Sequence, residues 1–161
     1  MEEKNKYMKE ALKEAQKAYD KLEVPVGAII VKDGKIIARA YNKKEEKKDT
    51  TMHAEIIAIK KASKKIGAWR LNDCEMYVTL EPCPMCAGAI INSRLKKIYI
   101  GTMDEKNGAI GSVNNLLDDY SQNFKVDSET GIMQKECEKK LKDFFKDLRQ
   151  IKKNNNTKEK K

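Results

Sequence analysis

The chain has 161 residues, 40% hydrophobic and 37% charged, which predicts one globular domain with a single core and a highly charged surface. No apolar run of about 18 residues occurs and the N-terminal residues lack an apolar signal region, so neither a membrane span nor a signal peptide is expected. Lys and Arg number 34 against 25 Asp and Glu, and this net charge of +9 suits a polyanionic partner without requiring one.

Helix and strand patterns alternate along most of the chain. We predict, in order, a helix over residues 5–21, strands over 26–31 and 35–41 joined by an Asp33-Gly34 turn, a helix from His53 to before Gly67, a strand over 75–80, a helix to about Ser93, a strand over 97–101, a short helix around Leu116, a weak strand over 124–127 and a helix after Gly131. This order indicates an α/β fold whose sheet opens with an antiparallel hairpin and includes parallel pairs.

Two highly charged segments lie outside this pattern. Residues 43–48 are interpreted as a solvated loop. Residues 152–161, Lys-Lys-Asn-Asn-Asn-Thr-Lys-Glu-Lys-Lys, cannot bury anything and are expected to form a disordered basic tail, so the folded domain is predicted to span residues 1–151. The four cysteines are not spaced as a disulfide framework, which is typical of a cytoplasmic protein.

Two short motifs concentrate residue types that bind or serve a zinc ion, namely His-Ala-Glu at 53–55 and Pro-Cys-Pro-Met-Cys at 82–86. In the second motif, a proline suited to the first position of a helix makes Cys83 the cap of that helix. Cys86 follows three residues later on the same helix face, so both sulfurs can reach one ion. Both also lie at the positive end of the helix dipole, which favours thiolate over thiol.

His53 and Glu55 are two residues apart, about 200° around a helix of ~3.6 residues per turn, so they can converge only at a helix start. The helix-forming segment 54–62 predicts such a start, and two helix N-termini would then face one ion. Three protein ligands leave a fourth tetrahedral position for water, which is the catalytic pattern. Glu55 is then free to transfer protons, and the whole set is the signature of zinc-dependent nucleobase deaminases.

Six segments in register resemble the bacterial tRNA-specific adenosine deaminases, of the cytidine/deoxycytidylate deaminase-like superfamily, and the resemblance runs from about Tyr7 to Arg149. They are residues 24–28, 53–55, 69–71, 77–83, 85–89 and 108–112. The resemblance implies a three-layer α/β/α sandwich around a five-stranded mixed sheet, one zinc ion per chain and a homodimer. It also implies conversion of adenosine to inosine at the wobble position of a tRNA anticodon, usually that of one arginine tRNA.

The resemblance further implies residue roles. His53, Cys83 and Cys86 would hold the zinc ion, and Glu55 would be the catalytic proton shuttle. The implied substrate-binding residues are Asn42, which would contact the flipped adenosine; Ala54; Asp104 and Lys106, in the loop near the flanking nucleotides; and Phe145 and Arg149, near the anticodon loop.

Other interpretations stay open at this stage. The Cys-x-x-Cys pair is also typical of a thioredoxin-like redox site. With Glu55 as a fourth ligand, the zinc would be structural, in a non-catalytic RNA-binding protein. A relative acting on free guanine, cytosine or a nucleoside would carry the same zinc motif. Asn42 could cap a turn and Lys106 could be an ordinary surface lysine, while Cys74 and Cys137 are expected to be buried apolar residues.

Overall fold

The computed structural model describes residues 2–119 and 124–159. In chain order, the elements are α1 (Glu2–Asp20), β1 (Gly27–Lys32), β2 (Lys35–Tyr41), α2 (Lys44–Lys47), α3 (Ala54–Ile66), β3 (Cys74–Leu80), α4 (Pro84–Asn92), β4 (Lys97–Thr102), α5 (Leu116–Asp119), β5 (Asp127–Thr130) and α6 (Gln134–Glu159). None of the helices described here is long and apolar enough to cross a membrane.

The strands form one five-stranded mixed sheet in the order β2-β1-β3-β4-β5. β1 is antiparallel to both β2 and β3, whereas β3, β4 and β5 are parallel to one another. The hairpin between β1 and β2 turns at Asp33 and Gly34, which have φ angles of 52° and 75°. A tight hairpin turn of this kind needs positive φ at both central positions, so the predicted turn is confirmed.

Helices cover both faces of the sheet. Successive strand residues point to opposite faces, so each strand contributes side chains to two apolar clusters. Ile30 and Met76 belong to the apolar cluster under α3 and α4. Their chain neighbours Ile29 and Tyr77 belong to the opposite cluster, which packs against α1 and the start of α6. The predicted three-layer α/β/α sandwich is therefore confirmed. Cys74 and Cys137 are buried, as expected.

Strand direction places three chain segments at one edge of the sheet. Since β2 and β3 are both antiparallel to β1, they run in the same direction, and β4 runs parallel to β3. The carboxyl ends of all three strands therefore meet at one edge. The segment leading to α3, the start of α4 and the loop after β4 all leave the sheet there, which is the edge where α/β proteins bind ligands.

Two local predictions were wrong. The charged run 43–48 contains the short helix α2, because the buried Glu23 carboxylate binds the backbone N–H groups of Glu45 and Glu46. β5 begins at Asp127 rather than at residue 124, because its bounds follow its pairing with β4 along residues 97–100. Both differences arise from contacts with distant segments, which local composition does not encode.

The expectation of a disordered tail also differs from the structure. α6 continues through residues 152–159, whose side chains are all exposed, while residues 160 and 161 of the predicted tail lie outside the described residues. The segment buries nothing, as predicted, but lysine and glutamate favour helix and each added turn bonds internally to the helix before it. The predicted boundary of the folded domain at residue 151 stays a prediction.

Gly27 provides a test of how closely α1 packs on the sheet. A Cβ atom at this position would lie 2.0 Å from the Ala11 carbonyl oxygen and 2.5 Å from the Ala15 nitrogen. Both are backbone atoms, so α1 must move, and we expect Gly27→Ala to lower the free energy of unfolding by about 1–3 kcal/mol in urea titrations.

Gly88 is the matched control, because a Cβ there would meet nothing within 4 Å. It lies inside α4, so Gly88→Ala should be neutral or should stabilise the protein by up to ~1 kcal/mol. Equal stability of Gly27→Ala and the unmodified chain would contradict the packing described for α1.

Candidate metal centre and substrate pocket

The side chains of His53, Cys83 and Cys86 meet at one point. His53 Nδ1 lies 3.7 Å from Cys83 Sγ and 3.5 Å from Cys86 Sγ, and the three ligand atoms lie within 4.8 Å of one another. If an ion were held tetrahedrally at ~2.3 Å from sulfur and ~2.0 Å from nitrogen, the nitrogen would lie roughly 3.6 Å from each sulfur. The three residues therefore fit a tetrahedral metal ion bound through Nδ1.

The starts of two helices aim these side chains. His53 precedes α3 and Cys83 precedes α4, both with extended backbone and without a side-chain cap bond. Their side chains are consequently free to point beyond the helix ends. Pro84 occupies the start of α4, and Cys86 is buried in its first turn. The predicted convergence of two helix N-termini is confirmed, and their partial positive charges favour thiolates.

The two thiols shift each other's pKa in opposite directions. A hydrogen bond from the Cys86 side chain, helped by His53, lowers the pKa of Cys83 to about 4. The hydrogen bond with Cys83 and burial raise the pKa of Cys86. The Cys83 side chain also raises the pKa of His53. One thiolate is thus already favoured, and a bound dication deprotonates its thiol ligands outright.

Glu55 is buried in the first turn of α3, beside this group. Burial raises the pKa of its carboxyl to about 7, although its own backbone N–H and the nearby His53 act in the opposite direction. Among the described residues, the group that could hold a metal ion does not include Glu55. The arrangement therefore favours a proton-transfer carboxylate near neutral pH over a fourth ligand.

A pocket of about 380 Å³ opens over these residues, within the size range of small-molecule sites. Of the predicted substrate residues, Asn42, Ala54 and Asp104 line it. It is also lined by residues that were not among the predicted site residues, namely Val24, Val26, Lys44, Thr50, Leu80, Glu81, Pro84 and Asn107.

A groove of about 1150 Å³ adjoins the pocket, and the two cavities share part of their lining, including Asp104 and Asn107. The groove contains the remaining predicted substrate residues, Lys106, Phe145 and Arg149. The side chain of Phe145, on α6, is 41% exposed and faces the groove. The structure thus brings all six predicted substrate residues into two connected cavities.

Several charges of the groove are already paired. Lys142 forms an ion pair with Glu138 at 3.1 Å, and Lys139 forms one with Asp143 at 2.6 Å. Within residues 2–119 and 124–159, the groove cations that form no ion pair are Lys106, Lys146 and Arg149, against the acidic residues Asp104 and Glu105. Among the described residues, four cations and four acidic side chains line the groove, so the three cations that form no ion pair, and not a net charge, suit an anionic ligand.

Asn42 combines the two interpretations that the sequence left open. Its Nδ2 donates to the Val24 carbonyl at 3.3 Å, and its Oδ1 accepts from the Lys44 backbone nitrogen at 3.2 Å. It therefore caps the turn after β2 while lining the pocket. Because Nδ2 carries two hydrogens, one donor is still available to a ligand.

Two buried carboxylates near the site were missed by sequence reasoning. Glu23 binds the first amides of α2, and Glu81 binds amides of the loop after β4. The signal that could have found Glu81 is its position between a buried strand and Pro82, where an acidic residue needs nearby donors.

Comparison with known proteins gives consistent similarities. A family model described as MafB19-like deaminase matches residues 2–149. The chain is 48% identical over 147 residues, 91% of each chain, to the tRNA-specific adenosine deaminase of Bacillus subtilis (strain 168). It is similar to a structure from a study of A-to-I editing by tRNA:A34 deaminases at the wobble position of transfer RNA, with a TM-score of 0.81, 40% identity, and coverage of 84% of this chain and 99% of that one. The structure of a guanine deaminase from Bacillus subtilis is also similar, with a TM-score of 0.60, 36% identity, and coverage of 73% of this chain and 75% of that one.

The metal group can be tested by cysteine substitution. Cys83→Ala and Cys86→Ala each remove one of three ligands, so the metal content of purified protein, measured by mass spectrometry, should fall from about one ion per chain to near zero. Cys74→Ala is the matched control, because Cys74 is buried outside the group and its loss should leave the metal content unchanged. Full metal retention in the Cys83 and Cys86 variants would contradict the assignment.

Proposed function

The chain belongs to the family of the tRNA-specific adenosine deaminases, and we propose that it hydrolyses adenosine to inosine at the wobble position of a tRNA anticodon. The observation that carries the proposal is the conjunction of the three-ligand group and buried Glu55 with a pocket that adjoins a groove, in which an exposed aromatic side chain lies beside cations that form no ion pair among the described residues. A redox pair requires neither the imidazole nor the buried carboxylate.

We infer that the metal is zinc, held by His53, Cys83 and Cys86. The donor set of two thiolates and one imidazole is typical of zinc and leaves one tetrahedral position open. Zinc in such a site supplies an activated water, by lowering its pKa to about 7.

Glu55 carries the proton transfers in this proposal. It accepts a proton as water adds to C6 of adenine and delivers that proton to N1; it then accepts the proton of the new C6 hydroxyl and passes it to the departing amino group, so that ammonia leaves and inosine forms. A carboxyl whose pKa lies at about 7 is suited to both accepting and donating at neutral pH. Asn42 and Ala54 line the space available to the base.

The features of the groove suit the binding of an RNA substrate. A base must be flipped out or single-stranded to enter the pocket, and an anticodon loop presents such bases at low cost. Phe145 offers an exposed aromatic face for stacking, while Lys106, Lys146 and Arg149 suit phosphates. Asp104 lies where pocket and groove meet, which suits contact with a flanking nucleotide.

Three further assignments follow from the family resemblance. We propose an arginine tRNA as the substrate, a homodimer as the assembly and the cytoplasm as the compartment. The exposed apolar side chains of Trp69 and Met85 support an interface with a second copy. All four cysteines are free, which is consistent with a reducing compartment.

A second candidate is deamination of a free nucleobase, favoured by the similarity to a guanine deaminase. The pocket alone would suffice for that reaction. The groove distinguishes the two candidates, because a free base cannot reach Phe145 or Arg149.

The substrate class can be tested with bulk bacterial tRNA and purified zinc-loaded protein. Mass analysis of the digested nucleosides should detect inosine, and mapping should locate it at the first anticodon position of an arginine tRNA. The specificity constant for an anticodon stem-loop should exceed those for free adenine, guanine and cytosine by about 10²-fold or more, because the bases lack the groove contacts. Guanine or cytosine turnover equal to that of the stem-loop would overturn the RNA assignment.

Arg149→Ala separates the groove from the pocket in the same assay. It should raise KM for the stem-loop, with a weaker salt dependence of binding, because one phosphate contact is lost. Lys9→Ala is the control, since Lys9 is exposed on α1 and does not line the groove. Equal effects of the two substitutions would argue that only net charge matters.

Glu55→Gln tests the role of the carboxylate. The variant should keep about one metal ion per chain and its fold, yet lose activity on the stem-loop by ~10²-fold or more, because the amide cannot transfer the protons. Metal content and single-turnover kinetics are measured on the same preparation. Release of the metal would show instead that Glu55 is a ligand and would favour a structural zinc site.

A further inference from the structure

The Glu81 carboxylate is the centre of a hydrogen-bond cluster beside the pocket. The residue follows β3 and is only 2% exposed. Its Oε1 accepts from the Asp104 backbone nitrogen at 3.0 Å, and its Oε2 accepts from the nitrogens of Ile110 and Ser112 at 2.9 Å and 3.0 Å. The Ser112 hydroxyl donates to Oε1 as well. Four donors from one loop therefore satisfy one buried charge.

The loop also packs tightly around this carboxylate. A Cβ atom at Gly108 would lie 2.2 Å from Glu81 Cδ, so only glycine fits there without displacing the side chain. The Ala109 nitrogen donates to the Pro82 carbonyl at 2.9 Å, which fastens the loop to the residue before Cys83. Residues 104–112 are thus wrapped around Glu81 and attached to the segment that leads to α4.

The same loop supplies part of the pocket wall. Asp104 and Asn107 line the pocket. Asp104 Oδ1 accepts from the backbone nitrogens of Lys106 and Asn107 at 3.1 Å and 3.2 Å. The conformation of this part of the loop therefore depends on the position of Asp104. Its own backbone nitrogen is held by Glu81.

We propose that Glu81 is a positioning residue, which fixes the loop 104–112 so that Asp104 and Asn107 form the substrate-contacting wall beside the metal group. It acts through the loop and is not one of the residues that could hold the metal ion. The substrate part of this assignment rests on the proposed function, whereas the attachment of the loop does not. Loss of the carboxylate should therefore weaken substrate binding more than the chemical step.

The first measurement needs no substrate. Backbone amide hydrogen exchange is followed by NMR in zinc-loaded protein for Glu81→Gln, whose amide group keeps the size of the side chain but lacks the charge. The amides of Asp104, Ile110 and Ser112 should exchange at least about tenfold faster than in the unmodified chain, because their charged acceptor is gone. Metal content should stay unchanged.

Glu14→Gln is the matched control. Glu14 is also buried, but it pairs with Lys17 at 2.7 Å on α1, which packs on the other face of the sheet. Its substitution should leave the three loop amides and the stem-loop kinetics unchanged, whatever it does to stability. A general loss of stability is in this way separated from loss of the loop attachment.

The second measurement is steady-state kinetics on the anticodon stem-loop. Glu81→Gln should raise KM by about tenfold while kcat changes by less than about threefold. Gly108→Ala should reproduce this pattern from the loop side, because its new methyl group displaces the carboxylate. It also keeps the test available if Glu81→Gln does not fold.

Unchanged amide exchange and unchanged KM in both variants would overturn the proposal. Loss of metal from Glu81→Gln would overturn it too, since Glu81 would then act through Cys83. If the unmodified protein does not deaminate the stem-loop, the proposed function fails, while the exchange experiment still decides whether Glu81 holds the loop.

Discussion

The convergence of two helix N-termini at one edge of the sheet is the constraint on which the site depends. It follows from strand direction, because β2 and β3 each pair antiparallel with β1 and so end at the same edge. His53 and Cys83 occupy cap positions with extended backbone, which lets their side chains point past the helices towards each other. The partial charges of both helix ends then favour thiolates.

The buried carboxylates around the site differ in the number of hydrogen-bond donors that surround them, and this difference decides what each can do. Glu55 is buried with few compensating groups, and its pKa rises to about 7, which suits proton transfer. Glu81 is equally buried but accepts four hydrogen bonds, so it serves as an anchor for a loop. Glu23 does the same for α2 on the β2 side of the pocket. The surroundings of a buried glutamate thus decide whether its carboxyl has a raised pKa or holds a segment of the chain by hydrogen bonds.

Sequence patterns predicted most of the elements because their signals are local. The Asp33-Gly34 turn, the helix starts at His53 and Cys83, and the buried strands all depend on residues within a few positions of one another. The differences from the structure have two causes. Two of them depend on contacts with distant segments, and the third depends on the continuation of a helix. α2 depends on Glu23, β5 depends on its pairing with β4, and residues 152–159 continue a helix that is anchored earlier in the chain.

The sequence by itself determined the ligand types, their spacing on each helix start and the surplus of positive charge, since these are properties of the residues and of helix geometry. Only the tertiary structure decided that His53 Nδ1 meets both sulfurs, that Phe145 faces a groove and not the core, and that Glu81 organises the loop over the pocket. The physical reason is that these contacts join residues tens of positions apart. Their geometry is fixed by strand order and burial, which no local pattern contains.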